Sequence, residues 1–148
     1  MKLLVSACLL GVPCRYDGKS KPDTAVLSLR ERHTLVPVCP ECLGGLPTLR
    51  IPSERRGDRV VTQSGSDVTD AYRRGAEQTL RMASACDAAI LKERSPACGS
   101  RQIYDGSFSH RLLAGRGTAA ELLLAAGLRV FSEEDVRGGV FAQWERER

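Results

Sequence analysis

The sequence predicts an α/β domain: a parallel sheet of about four strands with helices on both faces. The arrangement is three-layered and Rossmann-like, with a small hairpin insertion. Three observations carry this. Four short apolar runs recur along 148 residues: LLVSA (3–7), TLVPV (34–38), AAILK (88–92) and LRVFS (128–132). Three of them are largely apolar rather than alternating, as strands covered on both faces are. Helical stretches separate them, and strand alternating with helix marks βαβ units and a parallel sheet.

Each element follows from local chemistry. The first strand is 3–7. A helix over 23–32 starts after Pro22 with Asp23 as its N-cap. The strand 34–38 follows. Residues 43–65 are rich in Gly, Pro and charge, and read as a long loop with a small hairpin around GDRVV and TQSG. A long helix over 67–85 sets Val68, Tyr72 and Ala76 on one face, continued by Thr79, Leu80 and Ala83. After the third strand, a helix over 118–127 opens with Thr118 and Glu121, spaced as a capping box, and closes at Gly127. The tail 141–148 either caps the domain as a short helix or frays. No repeat or linker interrupts the chain, so 1–148 is expected to be one domain.

Composition excludes several classes. Hydrophobic residues make up 42% and charged residues 27%, an ordinary globular mix. Net charge is +4 from 22 basic and 18 acidic residues, and the densest basic stretch, SERRGDR, has acids interleaved. With aromatics at 5% and no basic stripe, a nucleic-acid partner is not expected. No run approaches the ~18 apolar residues that span a bilayer. The opening MKLLVSACLLGVPCRYDG is broken by Gly11 and Pro13 and holds two cysteines. It reads as strand and loop rather than a secretion signal, and the expected location is the cytoplasm.

Six cysteines in a reducing compartment point to ligands, nucleophiles or core residues rather than disulfides. Cys8 and Cys39 fall at the ends of the first two strands, and Cys98 lies just beyond the third. In a parallel sheet the carboxyl ends share one edge, where ligands bind. Three distant cysteines are therefore expected to converge there. Converging thiolates select zinc, copper(I) or an iron–sulfur cluster. Cys14 is a fourth ligand, a catalytic thiol or a structural residue. Cys86, at the end of the long helix, is expected to be core packing.

The motifs SACLLGVPCRYDG (6–18), VCPECLGGLP (38–47), RIPSE (50–54), DVTDAYRRGA (67–76), AILKERSPACGS (89–100), IYDGSF (103–108) and GRGTAAELL (115–123) span nearly the whole chain. In that order they resemble the bacterial thiouracil desulfidase family, long known as a domain of unknown function. The resemblance implies an α/β fold holding an oxygen-sensitive [4Fe–4S] cluster on Cys8, Cys39 and Cys98, with the fourth iron free of protein ligands. It implies hydrolytic C–S cleavage: the open iron takes the sulfur of a thiolated pyrimidine or related thioamide, giving a uracil-type product and sulfide. Glu41 of CPE and Ser95 of RSP are implied to act near the substrate. A carboxylate there can activate water, and a hydroxyl can hydrogen-bond the ring.

The sequence departs from the family pattern at Cys42, directly after CPE, which is expected to pack as a small apolar residue. His110, in the loop HRLLAGRG, is a possible base near the pocket loop but is expected to be plain surface. The competing reading is a non-catalytic zinc or redox-metal protein with a four-cysteine site from Cys8, Cys14, Cys39 and Cys98. The partner is expected to be a small molecule, with no membrane, and the chain a monomer or weak homodimer.

Overall fold

The computed structural model describes residues 1–148. Its strands are β1 (Lys2–Ser6), β2 (Thr34–Val38), β3 (Ser53–Arg56), β4 (Arg59–Thr62), β5 (Ala88–Leu91), β6 (Gln102–Tyr104), β7 (Leu112–Ala114) and β8 (Val130–Ser132). Its helices are α1 (Thr24–Ser28), α2 (Pro40–Leu43), α3 (Thr69–Ala83), α4 (Thr118–Ala125), α5 (Glu133–Arg137) and α6 (Val140–Glu147).

The four apolar runs form one sheet in the order β2-β1-β5-β8, and every pairing in it is parallel. Successive side chains on a strand point to opposite faces, and β1 shows the consequence. Leu3 and Val5 join a core with Val26 and Leu29 of the α1 region, Ile90, Phe131 and Phe141. Leu4 joins the opposite core with Tyr72 and Ala83 of α3, Leu91, and Ala120 and Leu123 of α4. Every residue of β5 is buried, which is why its run is apolar throughout. Pro37 is tolerated because β2 is an edge strand.

The caps differ in part from the sequence expectation. Asp23 does cap α1, accepting from the Val26 amide at 3.1 Å. The capping box expected at Thr118 and Glu121 does not form. Gly117 occupies the N-cap of α4, Thr118 Oγ1 is buried without a partner, and Glu121 pairs with Arg55 at 2.6 Å. Gly117 sits there because a Cβ would collide with the backbone of Ala97 and Cys98. The chain forms its capping box instead at Ser132 and Asp135, opening α5. The tail is the helix α6, with Phe141 buried. Phe131, Phe141 and Trp144 pack as one aromatic group.

The hairpin expected in the long loop forms there. β3 (Ser53–Arg56) pairs with β4 (Arg59–Thr62), with the turn at Gly57 and Asp58 opening GDRVV and the first strand lying upstream of it. A second hairpin, β6 with β7, was not foreseen. β3 and β7 are polar or exposed, so neither carries the alternating burial that β4 shows at Val60 and Thr62.

One backbone contact positions the functional loops. α2 lies directly on α3, and the touching residues are Gly44 and Gly75. A Cβ on Gly75 would overlap the Pro40 carbonyl, and one on Gly44 would overlap the Ala71 carbonyl. Backbone cannot yield as a side-chain tip can. Gly75→Ala is therefore expected to destabilise by about 1–3 kcal/mol through overpacking, despite a helix-propensity gain of up to ~1 kcal/mol. A lower urea midpoint checks this; an unchanged or raised midpoint would show that α2 moves freely.

Candidate active site

The order β2-β1-β5 places a switch point at β1, because the chain goes to one side of it for β2 and returns to the other for β5. The loops leaving these strands bound a cleft of about 710 Å³. Cys8 lies in the short helical turn directly after β1. Cys39 is the residue joining β2 to α2, and the register sets Ser6 beside Val38 just before both thiols. Cys98 lies in the loop after β5. All three line the cleft, together with Cys14, Glu41 and Ser95. Cys8 and Cys98 are buried and Cys39 is half-buried.

Cys14 reaches the site because its loop folds back on the turn holding Cys8. The Lys21 and Asp23 amides donate to the Cys8 and Leu9 carbonyls at 2.9 and 3.0 Å. The Cys39 and Cys42 thiols each lie 3.9 Å from the Cys14 carbonyl oxygen. Cys42 does not line the cleft; it packs against the apolar core, as its sequence reading expected. Cys86 likewise packs on the core just past the end of α3, with its thiol on the Met82 carbonyl at 3.7 Å.

The thiols disfavour their own ionisation. Cys14 sits between Cys39, whose contact favours its thiolate, and Cys8, which with burial opposes it; the net holds Cys14 up at about 11. The Cys14 contact, reinforced by burial, pushes Cys39 well above the usual thiol range. Burial pushes Cys98 up to about 12, with the Ser6 and Ser95 hydroxyls partly countering it. Grouped thiols of this kind become thiolates when a cationic metal centre supplies the compensating charge. The donor set thus fits an iron–sulfur cluster, which gives each cysteine its own iron. No group of three Cys, His, Asp or Glu side chains converges as ligands of one ion, so the geometry does not favour the four-cysteine zinc site.

Glu41 is held from one side. Arg50 donates to its Oε2 from Nε at 2.8 Å and again from Nη2, and both side chains are largely buried. Arg50 also donates from Nη2 to the Cys14 carbonyl at 3.1 Å, and from Nη1 to that of Pro47 at 2.8 Å. The guanidinium therefore ties the Glu41 carboxylate to the Cys14 loop and leaves Oε1 without a protein partner. Ser95 accepts at Oγ from the Ala97 and Cys98 amides, both at 3.1 Å. That turn shapes the Cys98 loop and sets the hydroxyl beside the Cys98 thiol. Ser6 behaves alike, accepting from the Lys92 amide at 2.8 Å.

Three lining residues were missed in the sequence. Arg50 stands in RIPSE, but nothing local pairs it with Glu41. Tyr72 reads as an apolar helix-face residue and is buried, yet it also lines the cleft, and burial pushes its phenol well above the usual range. Ser6 reads only as strand. Their signal was membership in the motifs that carry the family resemblance, without any indication of role. His110 does line the cleft rim, where its exposed ring meets Tyr104 edge-on at 6.2 Å. No helix is long and apolar enough to cross a membrane.

Fold and site together define an α/β protein with a thiol-lined ligand cleft at the switch point of a parallel sheet. The chain belongs to the 2-thiouracil desulfurase family, whose model matches residues 3–135. It is 42% identical to the uncharacterized protein YbbK of Bacillus subtilis, covering 90% of this chain and 97% of that one. It also superposes on a solved structure of the [4Fe-4S]-dependent thiouracil desulfidase TudS with a TM-score of 0.85 and 46% identity. That match covers 96% of this chain and 97% of TudS.

Proposed function

We propose that this chain is a [4Fe–4S]-dependent desulfidase that exchanges the sulfur of a thiolated pyrimidine for the oxygen of water. The observation that carries this is the meeting of Cys8, Cys39 and Cys98 on one cleft beside a carboxylate with a free oxygen. Cys8, Cys39 and Cys98 hold the cluster, one from each strand-end loop. When bound, the cluster supplies a thiophilic Lewis acid for the substrate sulfur.

The overall change is a thiocarbonyl plus water to a carbonyl plus hydrogen sulfide, with no net oxidation or reduction. The protein must position the base, deprotonate water and return a proton. Glu41 Oε1 takes the proton from water, while Arg50 fixes Oε2 so that the free oxygen keeps one direction. Ser95, its oxygen engaged by two amides, hydrogen-bonds through its hydroxyl to the ring or its exocyclic atom, and the proton held on Glu41 returns to the leaving sulfur. Tyr72 and the buried cleft wall exclude bulk water from this exchange.

The test is anaerobic reconstitution with iron and sulfide, followed by incubation with 2-thiouracil. About four irons per chain are expected, with uracil and sulfide released in equal amounts. A loaded cluster with no sulfide release from 2-thiouracil would overturn the reading.

A further inference from the structure

Three non-glycine residues have positive φ: Arg94 (69°), Phe108 (57°) and His110 (60°). All three line the cleft. Left-handed backbone is costly for any residue with a Cβ, and most unusual for a bulky one. Such strain persists where the surrounding structure enforces it, and it clusters at functional sites.

For Phe108 the enforcing groups are two charged side chains. Glu54, on β3, accepts through Oε1 from the Gly106 and Phe108 amides at 2.9 and 3.1 Å. Arg56, on the same strand, donates from Nε to the Gly106 carbonyl at 2.7 Å. The first hairpin thus grips the tip of the second.

The ring so held is unlike the other two phenylalanines. Phe131 and Phe141 are buried against Trp144. Phe108 is half-buried and pairs with no other ring, while its neighbours Tyr104 and His110 engage each other edge-to-face. A lone phenyl fixed at the wall of a cleft is a stacking face for a flat ring, and nucleobases stack on aromatic side chains regardless of their identity.

We propose that Phe108 is a specificity-determining residue that stacks on the pyrimidine ring of the substrate, and that Glu54 is the positioning residue that holds it there. This rests on the desulfidase reading and adds the source of its preference for aromatic thiolated rings.

The test uses the anaerobically reconstituted holoprotein. Phe108→Ala raises KM for 2-thiouracil about tenfold or more, the size of a lost base–aromatic stack. Because ground and transition states lose the same contact, kcat changes by less than about threefold. Phe108→Tyr and Phe108→Trp restore KM. Glu54→Ala reproduces the rise, whereas Glu54→Gln, whose amide oxygen still accepts both N–H groups, does not. Iron content and the visible spectrum of the cluster stay as in the parent. Calorimetric titration with uracil shows the same loss of affinity without any turnover. An unchanged KM and unchanged uracil affinity in Phe108→Ala would overturn the stacking proposal. A parent protein that binds uracil through Phe108 yet releases no sulfide would overturn the desulfidase reading alone.

Discussion

Replacing Cys8, Cys39 or Cys98 by alanine is expected to abolish cluster loading, with each variant retaining little of the parent's iron and no measurable sulfide release. Each thiol comes from a different strand-end loop, after β1, β2 and β5 respectively. None of these loops holds a second cysteine facing the cleft except the one that carries Cys14, so a lost ligand has no local substitute at Cys39 or Cys98. A thiolate-held cluster needs every one of its protein ligands when there are only three. The folded chain should survive the change, because alanine adds no volume at any of the three positions and leaves no buried polar group unpaired. Cys42→Ala is the internal control. Its thiol packs on the core and, although it touches Cys39, does not line the cleft, so iron content, spectrum and activity should match the parent. Loss of iron in Cys42→Ala, or full loading in any of the other three, would show the ligand set to be wrong. Iron and acid-labile sulfide per chain, with the visible spectrum, are the measurements.

Glu41→Gln is expected to keep the cluster and lower kcat by about 10²–10⁴, the usual contribution of a positioned acid–base group. The amide is nearly isosteric and its oxygen can still accept from Arg50, so the loop geometry persists. What it cannot do is take a proton from water. The bonding pattern sharpens the expectation: Arg50 engages only Oε2, which leaves Oε1 as the acting atom. KM should change little, since the residue acts on water rather than on binding the ring. Equal kcat in Glu41→Gln and the parent, at equal iron content, would remove Glu41 from the chemistry and leave it as the anchor of the Cys14 loop.

How far this site could be read from sequence differs residue by residue. Cys8, Cys39 and Cys98 were legible because they follow apolar runs, and a parallel sheet puts all strand ends on one edge. Cys42 was legible as a packing residue because cysteine behaves as a small apolar side chain in a core. Arg50 was not legible as the partner of Glu41, because the loop between them doubles back through bonds to the Pro47 and Cys14 carbonyls. Loop paths of that kind carry no periodicity. Tyr72 was half legible. Its helical spacing identified a buried face, but spacing does not tell which buried positions border a cavity. The misread cap of α4 has a similar origin. Thr118 and Glu121 satisfy the local pattern, yet close packing on Ala97 and Cys98 demands glycine one residue earlier and hands Glu121 to Arg55.

The sequence by itself determined the α/β class, the four sheet strands, the flanking helices and the three strand-end cysteines. These are written in short-range patterns of apolar run, cap and turn, each set by residues a few positions apart. Only the tertiary structure decided the strand order, the second hairpin, the grip of Arg50 on Glu41 and the strained placement of Phe108. Those depend on contacts between segments far apart in the chain, where burial and hydrogen bonding override local preference. The sheet brings the thiols to one edge; the loops, packed through Gly44 on Gly75 and through Glu54 on the Phe108 turn, give that edge its shape.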